Sequence, residues 1–361
     1  MIHITKPVIP DREKLNQYLD GVCERTCLTN NGPLVQELTH RLEEYLGVEN
    51  LLLVANGTLA LQVAYKALGI EKEAITTPFT FAATPGSMKW QGINPRFADI
   101  DSKTLNLDPF EAERQITSNT EALVPVHVYG NACDVASLKN VANRNRLKLV
   151  YDASHAFGVR YHGESILNWG DAATISFHAT KLFHTVEGGA IIFRQEEDLE
   201  RAKAMINFGQ TQVTPDDIAM PGINAKMSEV HAAFGLVNLD VIDQIIDCRQ
   251  NVVQEYLHQL KKEVSFSHCV GSENGSYFPI MLENSTQTEQ IHALLKREGI
   301  CSRRYFRPPL HQTLEYSDGS HCPVASNTAN RVICLPIYPE LEKATIEKVV
   351  HTLNLAKAKI I

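Results

Sequence analysis

The chain has 361 residues, of which 44% are hydrophobic and 21% are charged, with a formal net charge of −8 and a pI near 6.0. These values are typical of a globular protein and exclude a disordered or fibrous chain. Nucleic acids and anionic lipids favour basic surfaces, so we expect neither a nucleic acid nor a membrane as a partner. Because single hydrophobic cores stop growing at roughly 250 to 300 residues, the length predicts one large domain and one smaller domain.

The sequence contains no obvious targeting or metal-binding pattern. The first residues lack a signal-peptide pattern, and no run of about 18 apolar residues occurs, so we expect a cytoplasmic protein. The eight cysteines form no Cys-x-x-Cys pair and no Cys/His group at zinc spacing. We therefore expect free thiols and no metal site.

Short apolar runs alternate with helix-like stretches between about residues 50 and 195, which predicts β-α units around a largely parallel sheet. The clearest strands are predicted at residues 51–54, 74–77, 123–126, 147–151 and 190–193. Residues 57–68 are apolar on nearly all sides, so we expect a helix packed inside the domain.

The pattern changes in the last third of the chain. Residues 224–261 predict one or two long helices that lead out of a large α/β domain. We place this large domain, with the N-terminal segment, at residues 1–240 and a small C-terminal α+β domain at residues 241–361.

Within the small domain we expect strands at residues 276–282 and 302–306. A capping box from Thr286 to Glu289 predicts the start of a helix between them. Residues 308–330 are rich in Pro, Ser, Asn and His, which predicts a long loop of the kind that is often functional.

The segment SFHATKLFHTVEGGAIIF, residues 176–193, contains a lysine whose amine can take part in covalent chemistry. Lys181 follows a predicted strand and lies in a short polar turn before two glycines that let the backbone pass closely. A lysine that is partly desolvated there can lose its proton, as Schiff-base chemistry requires. Most loop lysines are simply solvated, so this segment alone does not establish a function.

The segment LVYDASHAFG places Asp152 at the carboxyl end of an apolar strand, which is the edge where α/β sheets bind their ligands. A carboxylate there can pair with a protonated pyridine nitrogen and keep the ring an electron sink. The alternative is that Asp152 only caps the turn that follows the strand.

The segment LLLVANGTLAL combines a strand, a turn and the buried helix. Backbone N–H groups at a helix N-terminus bind phosphate when a glycine such as Gly57 allows close approach and a hydroxyl such as that of Thr58 lies beside them. The alternative is an ordinary N-cap at Asn56 or Thr58. Dinucleotide, Walker and Gly-x-Ser-x-Gly motifs are all missing. The three segments together predict pyridoxal 5'-phosphate (PLP) as the cofactor.

With these segments the chain resembles the DegT/DnrJ/EryC1/StrS sugar aminotransferases over nearly its whole length. The resemblance is carried by CLTNNGPLVQELTHRLEEYLGV, ANGTLAL, TPFTFAATPGSM, YDASHAFG, SFHATK, GINAKMSEVHAAFGL and YFRPPLH. It implies the PLP-dependent transferase fold of type I, in which a large α/β domain with a mostly parallel seven-stranded sheet is followed by a small α+β domain. It also implies a homodimer whose active sites are shared at the interface.

The resemblance implies specific roles around the cofactor. Lys181 is similar to the Schiff-base lysine, and Asp152 to the partner of the pyridine nitrogen. Contacts with the phosphate are implied for Gly57, Thr58 and Ser176, a contact with the cofactor's O3' for His155, and stacking on the ring for Phe81.

Three further residues are implied by the same resemblance. Asn224 is similar to an asparagine that reaches the phosphate from the neighbouring subunit, although it could instead cap a helix beginning near Met227. Tyr305 and His311 fall in a stretch that borders the sugar pocket, so we expect them to contact substrate.

The implied reaction is transamination of a nucleotide-linked keto sugar with L-glutamate as the amino donor. Related dehydratases have a histidine at the position of Lys181, so the lysine favours transamination. The turn HATKLFHTVEGGA is similar to that of enzymes that aminate C4 of dTDP-4-keto-6-deoxyglucose. Two alternatives stay open: a 4-aminotransferase for a GDP- or UDP-linked sugar, and a non-catalytic PLP-binding regulatory protein.

Overall fold

A seven-stranded sheet forms the centre of the molecule, for which the computed structural model describes residues 1–211, 217–260, 267–313, 315–316 and 318–358. Its strands are β1 (Leu51–Val54), β2 (Glu73–Thr76), β3 (Asn94–Phe97), β4 (Thr120–Val124), β5 (Lys148–Asp152), β8 (Ala172–Ser176) and β9 (Gly189–Phe193). They lie in the order β1-β9-β8-β5-β4-β2-β3, and β9 runs antiparallel to both of its neighbours while the other pairs are parallel. A short hairpin, β6 (Arg160–Tyr161) with β7 (Glu164–Ser165), lies outside this sheet.

Helices cover both faces of the sheet. Those before residue 240 are α1 (Arg12–Arg25), α2 (Pro33–Leu46), α3 (Gly57–Ala67), α4 (Ala83–Trp90), α5 (Pro109–Arg114), α6 (Val135–Asn145), α7 (Glu196–Met205) and α8 (Glu229–Leu239). Because side chains alternate across a strand, Leu51 and Leu53 pack into one apolar core and Leu52 and Val54 into the other. The predicted buried helix is α3, and the predicted α/β class with a mostly parallel seven-stranded sheet is confirmed.

A separate apolar core, distinct from the two on the faces of the central sheet, holds the C-terminal part together. It is built from α9 (Ile242–Leu260), α10 (Ser285–Arg297) and α12 (Lys343–Ala358), with a two-stranded antiparallel sheet of β10 (Phe278–Met281) and β11 (Val332–Leu335). The predicted pair of long helices corresponds to α8 and α9, although residue 261 lies outside the described residues.

The boundary predicted after residue 240 stays a prediction, and two features cross it. The beginning of α9 belongs to the core of the sheet through Ile242 and Ile245, whereas the rest of this helix packs in the C-terminal core. Ile2 exchanges backbone hydrogen bonds of 2.8 Å with Gly299 and Cys301, so the start of the chain joins the C-terminal part.

Three local predictions are wrong. Residues 302–306 form no strand beyond one isolated bridge at Arg303, because the Tyr129 hydroxyl binds the Tyr305 carbonyl and Pro308 follows. The N-cap of α10 is Asn284 rather than Thr286. The Asn284 side chain accepts from the Gln287 N–H at 2.9 Å, and the Gln287 side chain accepts from the Glu283 N–H at 3.0 Å.

The third error concerns the loop predicted at residues 308–330, which ends in helix α11 (Pro323–Arg331). Pro323 begins this helix, where a proline is well tolerated, and Ala325, Thr328 and Ala329 are buried at helical spacing. Because these buried residues are small and their neighbours are polar, the sequence shows no clear helical pattern of large apolar residues. Residues 314 and 317 of the loop lie outside the described residues.

Candidate active site

A cavity of about 950 Å³ opens where the parallel strands of the central sheet end. Eight of the ten residues implied by the resemblance line it: Gly57, Thr58, Phe81, Asp152, His155, Ser176, Lys181 and Tyr305. Asn224 and His311 do not. Most of these residues lie together because they end or closely follow the parallel strands β1, β2, β5 and β8, whose carboxyl ends meet at one edge of the sheet.

Lys181 lies in the turn that joins β8 to β9. Backbone hydrogen bonds of 2.8 Å close this turn, from Phe177 to Gly188 and from Ala179 to Val186. Burial lowers the pKa of Lys181 from its ordinary value of 10.5, although the nearby Asp152 carboxylate acts in the opposite direction. The amine therefore loses its proton more easily than a solvated lysine, as nucleophilic attack on an aldehyde requires.

Asp152 ends β5 with 5% of its surface exposed. One carboxylate oxygen accepts from the Ser154 N–H at 3.1 Å, so the residue does cap the turn. The other oxygen accepts from the Thr84 hydroxyl at 2.8 Å, and Thr84 in turn lies 3.0 Å from the Thr80 hydroxyl. Because Thr84 has a single proton, Thr80 must be the donor of that second bond. The carboxylate is thus held from two sides with a fixed orientation in the cavity wall.

The start of α3 provides a close-packed polar cradle. Asn56 is the N-cap and accepts from the Leu59 N–H at 2.9 Å, while helix geometry leaves the N–H groups of Gly57 and Thr58 without intrahelical acceptors. A Cβ atom at Gly57 would lie 2.8 Å from the Ser176 Cβ, so the two segments approach closely only because this residue is glycine. Two N–H groups, a helix N-terminus and the Ser176 hydroxyl suit a phosphate group, as PLP requires.

His155 lies in the cavity wall, where its ring contacts the rings of Tyr277 and Phe306. Its Nδ1 accepts from the Tyr129 N–H at 3.2 Å, and its ring is parallel to that of Phe306 with centroids 6.0 Å apart. Burial, assisted by Lys181, holds the pKa of His155 well below its ordinary value of 6.5. The imidazole is therefore neutral with its proton on Nε2, which can donate a hydrogen bond to an oxygen.

The remaining implied residues differ in placement. Phe81 is 60% exposed on the cavity wall, which leaves an apolar ring available to cover a planar ligand. His311 is 8% exposed, and its Nε2 lies 3.3 Å from the Ser326 hydroxyl, outside the cavity. Asn224 is exposed and does not cap α8, which begins at Glu229 with Ser228 as its N-cap.

Comparison with known proteins identifies the relatives of this chain. Residues 10–354 match the model of the DegT/DnrJ/EryC1/StrS aminotransferase family. The chain belongs to this family. It is 41% identical to a dTDP-4-amino-4,6-dideoxy-D-glucose transaminase of Shigella dysenteriae, with 99% of each chain covered. An enzyme of the same name from Escherichia coli is 36% identical, with 98% of each chain covered.

Solved structures of the family have the same fold. DesI in the presence of its TDP-sugar product matches with a TM-score of 0.92 at 34% identity, covering 98% of this chain and 92% of the other. The predicted family and the predicted aminotransferase class are confirmed. In the described ranges no group of three or more His, Cys, Asp and Glu side chains could hold a metal ion, and no helix there is long and apolar enough to cross a membrane.

Two residues that shape the cavity of this aminotransferase were not predicted. Thr84 is buried and binds Asp152 from behind the cavity lining, and it was missed because this contact depends on how α4 packs. Arg303 lines the cavity with its guanidinium 5.2 Å from the Tyr305 ring centroid. Among the described residues no carboxylate pairs with Arg303, whereas Arg307 pairs with Glu289 at 3.2 Å. The available signal for Arg303 was its position two residues before Tyr305, in a segment for which the sequence predicts a strand.

Proposed function

We propose that this family member is a PLP-dependent transaminase that moves the amino group of L-glutamate to C4 of dTDP-4-dehydro-6-deoxy-D-glucose. The product is dTDP-4-amino-4,6-dideoxy-D-glucose, and the co-product is 2-oxoglutarate. The observation that carries the proposal is the meeting of Lys181, Asp152 and the Gly57 cradle in one cavity. The 41% identity with a transaminase of that name supports the choice of sugar.

The residues around the cavity divide the work of holding the cofactor. Lys181 is its covalent attachment point, and Asp152 is the acidic partner for its pyridine nitrogen. The N–H groups at the start of α3, with the Ser176 hydroxyl, take the phosphate. His155 offers its Nε2 proton to the phenolic oxygen, and Phe81 covers the ring. Bound PLP supplies an electron sink and carries the amino group between the two substrates.

Lys181 also moves the proton. Once the amino donor has replaced Lys181 at the cofactor, the Nζ atom of Lys181 is free inside the cavity. Burial lowers its pKa, so a larger fraction of the amine is neutral and able to accept the α-proton of glutamate than in a solvated lysine. In the second half of the cycle the same atom returns a proton to C4 of the sugar. Arg303 provides a cation for a substrate carboxylate or diphosphate, because its charge is not neutralised within the described chain.

We propose a homodimer with shared active sites. The segment around Asn224 exposes apolar side chains, with Ile218 71%, Phe208 50% and Ile223 44% exposed. Burying such residues in a second copy is favourable. The Ala55 N–H donates to the Ala225 carbonyl at 2.8 Å, so the exposed segment around Asn224 lies close to the Gly57 cradle. We place the two-fold axis of the dimer beside this cradle, so that Asn224 of each subunit reaches the phosphate site of the other. The cytoplasmic location stays a prediction.

The experiment that tests the function uses the purified protein with PLP, glutamate and a panel of dTDP-, GDP- and UDP-linked 4-keto-6-deoxy sugars. We expect NMR to identify a product with an equatorial 4-amino group, as the D-gluco configuration requires, only from the dTDP sugar. If only a GDP- or UDP-linked sugar is turned over, that sugar is the substrate and the proposed dTDP sugar is wrong. Glutamate by itself should change the visible spectrum of the protein. No such change would favour the regulatory alternative, since a cofactor-binding regulator needs no donor half-reaction.

A further inference from the structure

One face of α4 forms part of the cavity wall. The four residues of this face that line the cavity, Ala83, Gly86, Ser87 and Trp90, have the i, i+3, i+4, i+7 spacing of a single helical stripe. Trp90, at the end of the stripe, is 85% exposed. Tryptophan is usually highly buried, so an indole left open on a cavity wall indicates a surface that another group covers.

Trp90 is held at a fixed position relative to Asp152. At the start of α4 the Thr84 hydroxyl binds the Asp152 carboxylate at 2.8 Å. At its end the Gln91 amide donates to the Gln62 carbonyl at 2.9 Å, which ties α4 to α3. Six residues at 1.5 Å each separate Thr84 from Trp90, so the indole lies roughly 9 Å farther along the helix than the Asp152 contact. The cavity therefore has a reacting end at Lys181 and a distant aromatic end at Trp90.

We propose that Trp90 binds the nucleobase of the nucleotide-sugar substrate by stacking against it, an inference that rests on the proposed function. A nucleotide sugar carries one flat aromatic group, and a sugar ring, a diphosphate and a ribose separate it from the reacting carbon. With that carbon at Lys181, the base must lie well away from the cofactor, on the part of the cavity wall where α4 places the indole. Aromatic side chains stack on bases of any identity. Trp90 is thus a binding residue for the nucleotide and not for glutamate.

The sequence offers a direct optical test, because its two tryptophans are Trp90 and Trp169. Trp169 lies outside this cavity, in a separate surface depression beside Glu43 and Phe193. In the Trp169→Phe protein loaded with PLP, Trp90 is the single indole emitter. We expect dTDP, which lacks the reacting sugar, to quench this emission with saturation. In the matched Trp90→Phe protein the remaining Trp169 emission should not respond.

A binding measurement completes the test. We expect Trp90→Ala to weaken the binding of dTDP by about 5- to 150-fold, and Trp90→Phe to weaken it far less because a ring remains. The glutamate half-reaction, which involves no nucleobase, reports in both variants whether the cofactor site is intact. Affinity of Trp90→Ala within twofold of the parent protein would overturn the proposal.

The failure of this inference is distinguishable from failure of the proposed function. UDP and GDP are titrated beside dTDP in the same fluorescence experiment. If the dTDP sugar is not a substrate but another nucleoside diphosphate quenches Trp90, the substrate is reassigned and the stacking role stands. If no nucleoside diphosphate quenches Trp90, the indole is covered by something else, such as a second subunit, and the proposal is wrong.

Discussion

The surroundings of Lys181 alter the chemistry of its amine. Because burial lowers its pKa, a larger fraction of the amine is neutral at a given pH than in a solvated lysine. We expect the protein with PLP to be yellow and borohydride to fix the cofactor on Lys181, as peptide mass spectrometry would show. Lys226, whose pKa burial also lowers, is the natural internal control. An adduct on Lys226 instead would refute the assignment of Lys181.

The Asp152 side chain has a structural role in the turn and a proposed chemical role at the cofactor, and one substitution can separate the two. Replacing it with Asn keeps an oxygen for the Ser154 N–H but removes the charge that would face a pyridinium nitrogen. We expect the rate of the glutamate half-reaction, followed by stopped-flow absorbance, to fall roughly 100- to 1,000-fold while PLP still binds. Thr84→Val, which removes only the second hydrogen bond to Asp152, is the milder comparison. Near-normal turnover by Asp152→Asn would show that the carboxylate merely caps the turn.

His127 makes the fold sensitive to acid. It is fully buried, stacks on Tyr151 with ring centroids 4.7 Å apart, and accepts from the Cys133 N–H at 3.1 Å. Burial lowers the pKa of His127 from 6.5 to about 3. Between these values the unfolded chain binds a proton that the folded chain does not. Stability is therefore complete above pH 6.5 and is lost as the pH falls, at up to about 1.4 kcal/mol per pH unit.

A variant without this ionisable group tests the prediction. Asn at position 127 can still accept from the Cys133 N–H but cannot titrate. We expect His127→Asn to be less stable at pH 7, because a ring is lost, yet to show a shallower decline in unfolding free energy between pH 6.5 and 4. An unchanged slope, measured by urea titration at each pH, would mean that other groups such as His155 carry the acid sensitivity.

At the scale of elements, the start of α10 allows a sharp comparison of two side chains. Asn284 accepts from the Gln287 N–H, whereas Thr286, the residue favoured by the sequence pattern, is already inside the helix. We expect Asn284→Ala to cost about 1 kcal/mol in urea unfolding, and Thr286→Ala to change stability by less than about 0.5 kcal/mol. The reverse order would restore the capping box that the sequence predicted.

The sequence predicts elements well where one local signal dominates. Apolar runs mark β1 and β5, so the sequence predicts where Gly57, shortly after β1, and Asp152, at the end of β5, lie, and both line the cavity. β3 was missed because Pro95 and Arg96 interrupt its apolar pattern, which an edge strand tolerates. Trp90 could not be predicted as a cavity residue, since its position depends on how α4 packs against the end of β5.

At the scale of the whole molecule, shared active sites predict complementation between two inactive variants. A Lys181→Ala chain lacks the covalent attachment point but can still lend Asn224, whereas an Asn224→Ala chain has the lysine and cannot lend its amide. In a mixed dimer one site receives both intact residues. Losing a hydrogen bond to a charged phosphate costs about 1.5 to 3 kcal/mol, so Asn224→Ala should bind PLP at least about tenfold more weakly.

The measurement is activity under limiting PLP after the two variants have exchanged subunits, with exchange verified by mass spectrometry. We expect the mixture to exceed the summed activities of the separate proteins. A mixture of Lys181→Ala with the unmodified protein is the control, and its activity should not exceed the sum of the separate activities. Verified exchange without any gain would show that Asn224 does not act across the interface.

The backbone pairing of the first residues with the C-terminal part has a consequence for synthesis on the ribosome. Ile2 pairs with residues 299–301, and Ile4 accepts from the Ile337 N–H at 3.0 Å. At about 5 to 20 residues per second, roughly 20 to 70 s pass between the making of Ile4 and of Ile337. Until residues 299–337 are made this segment lacks these backbone partners, whereas every strand of the central sheet has been made once Phe193 is added. The segment around Ile2 and Ile4 is thus among the last parts of this fold to be ordered.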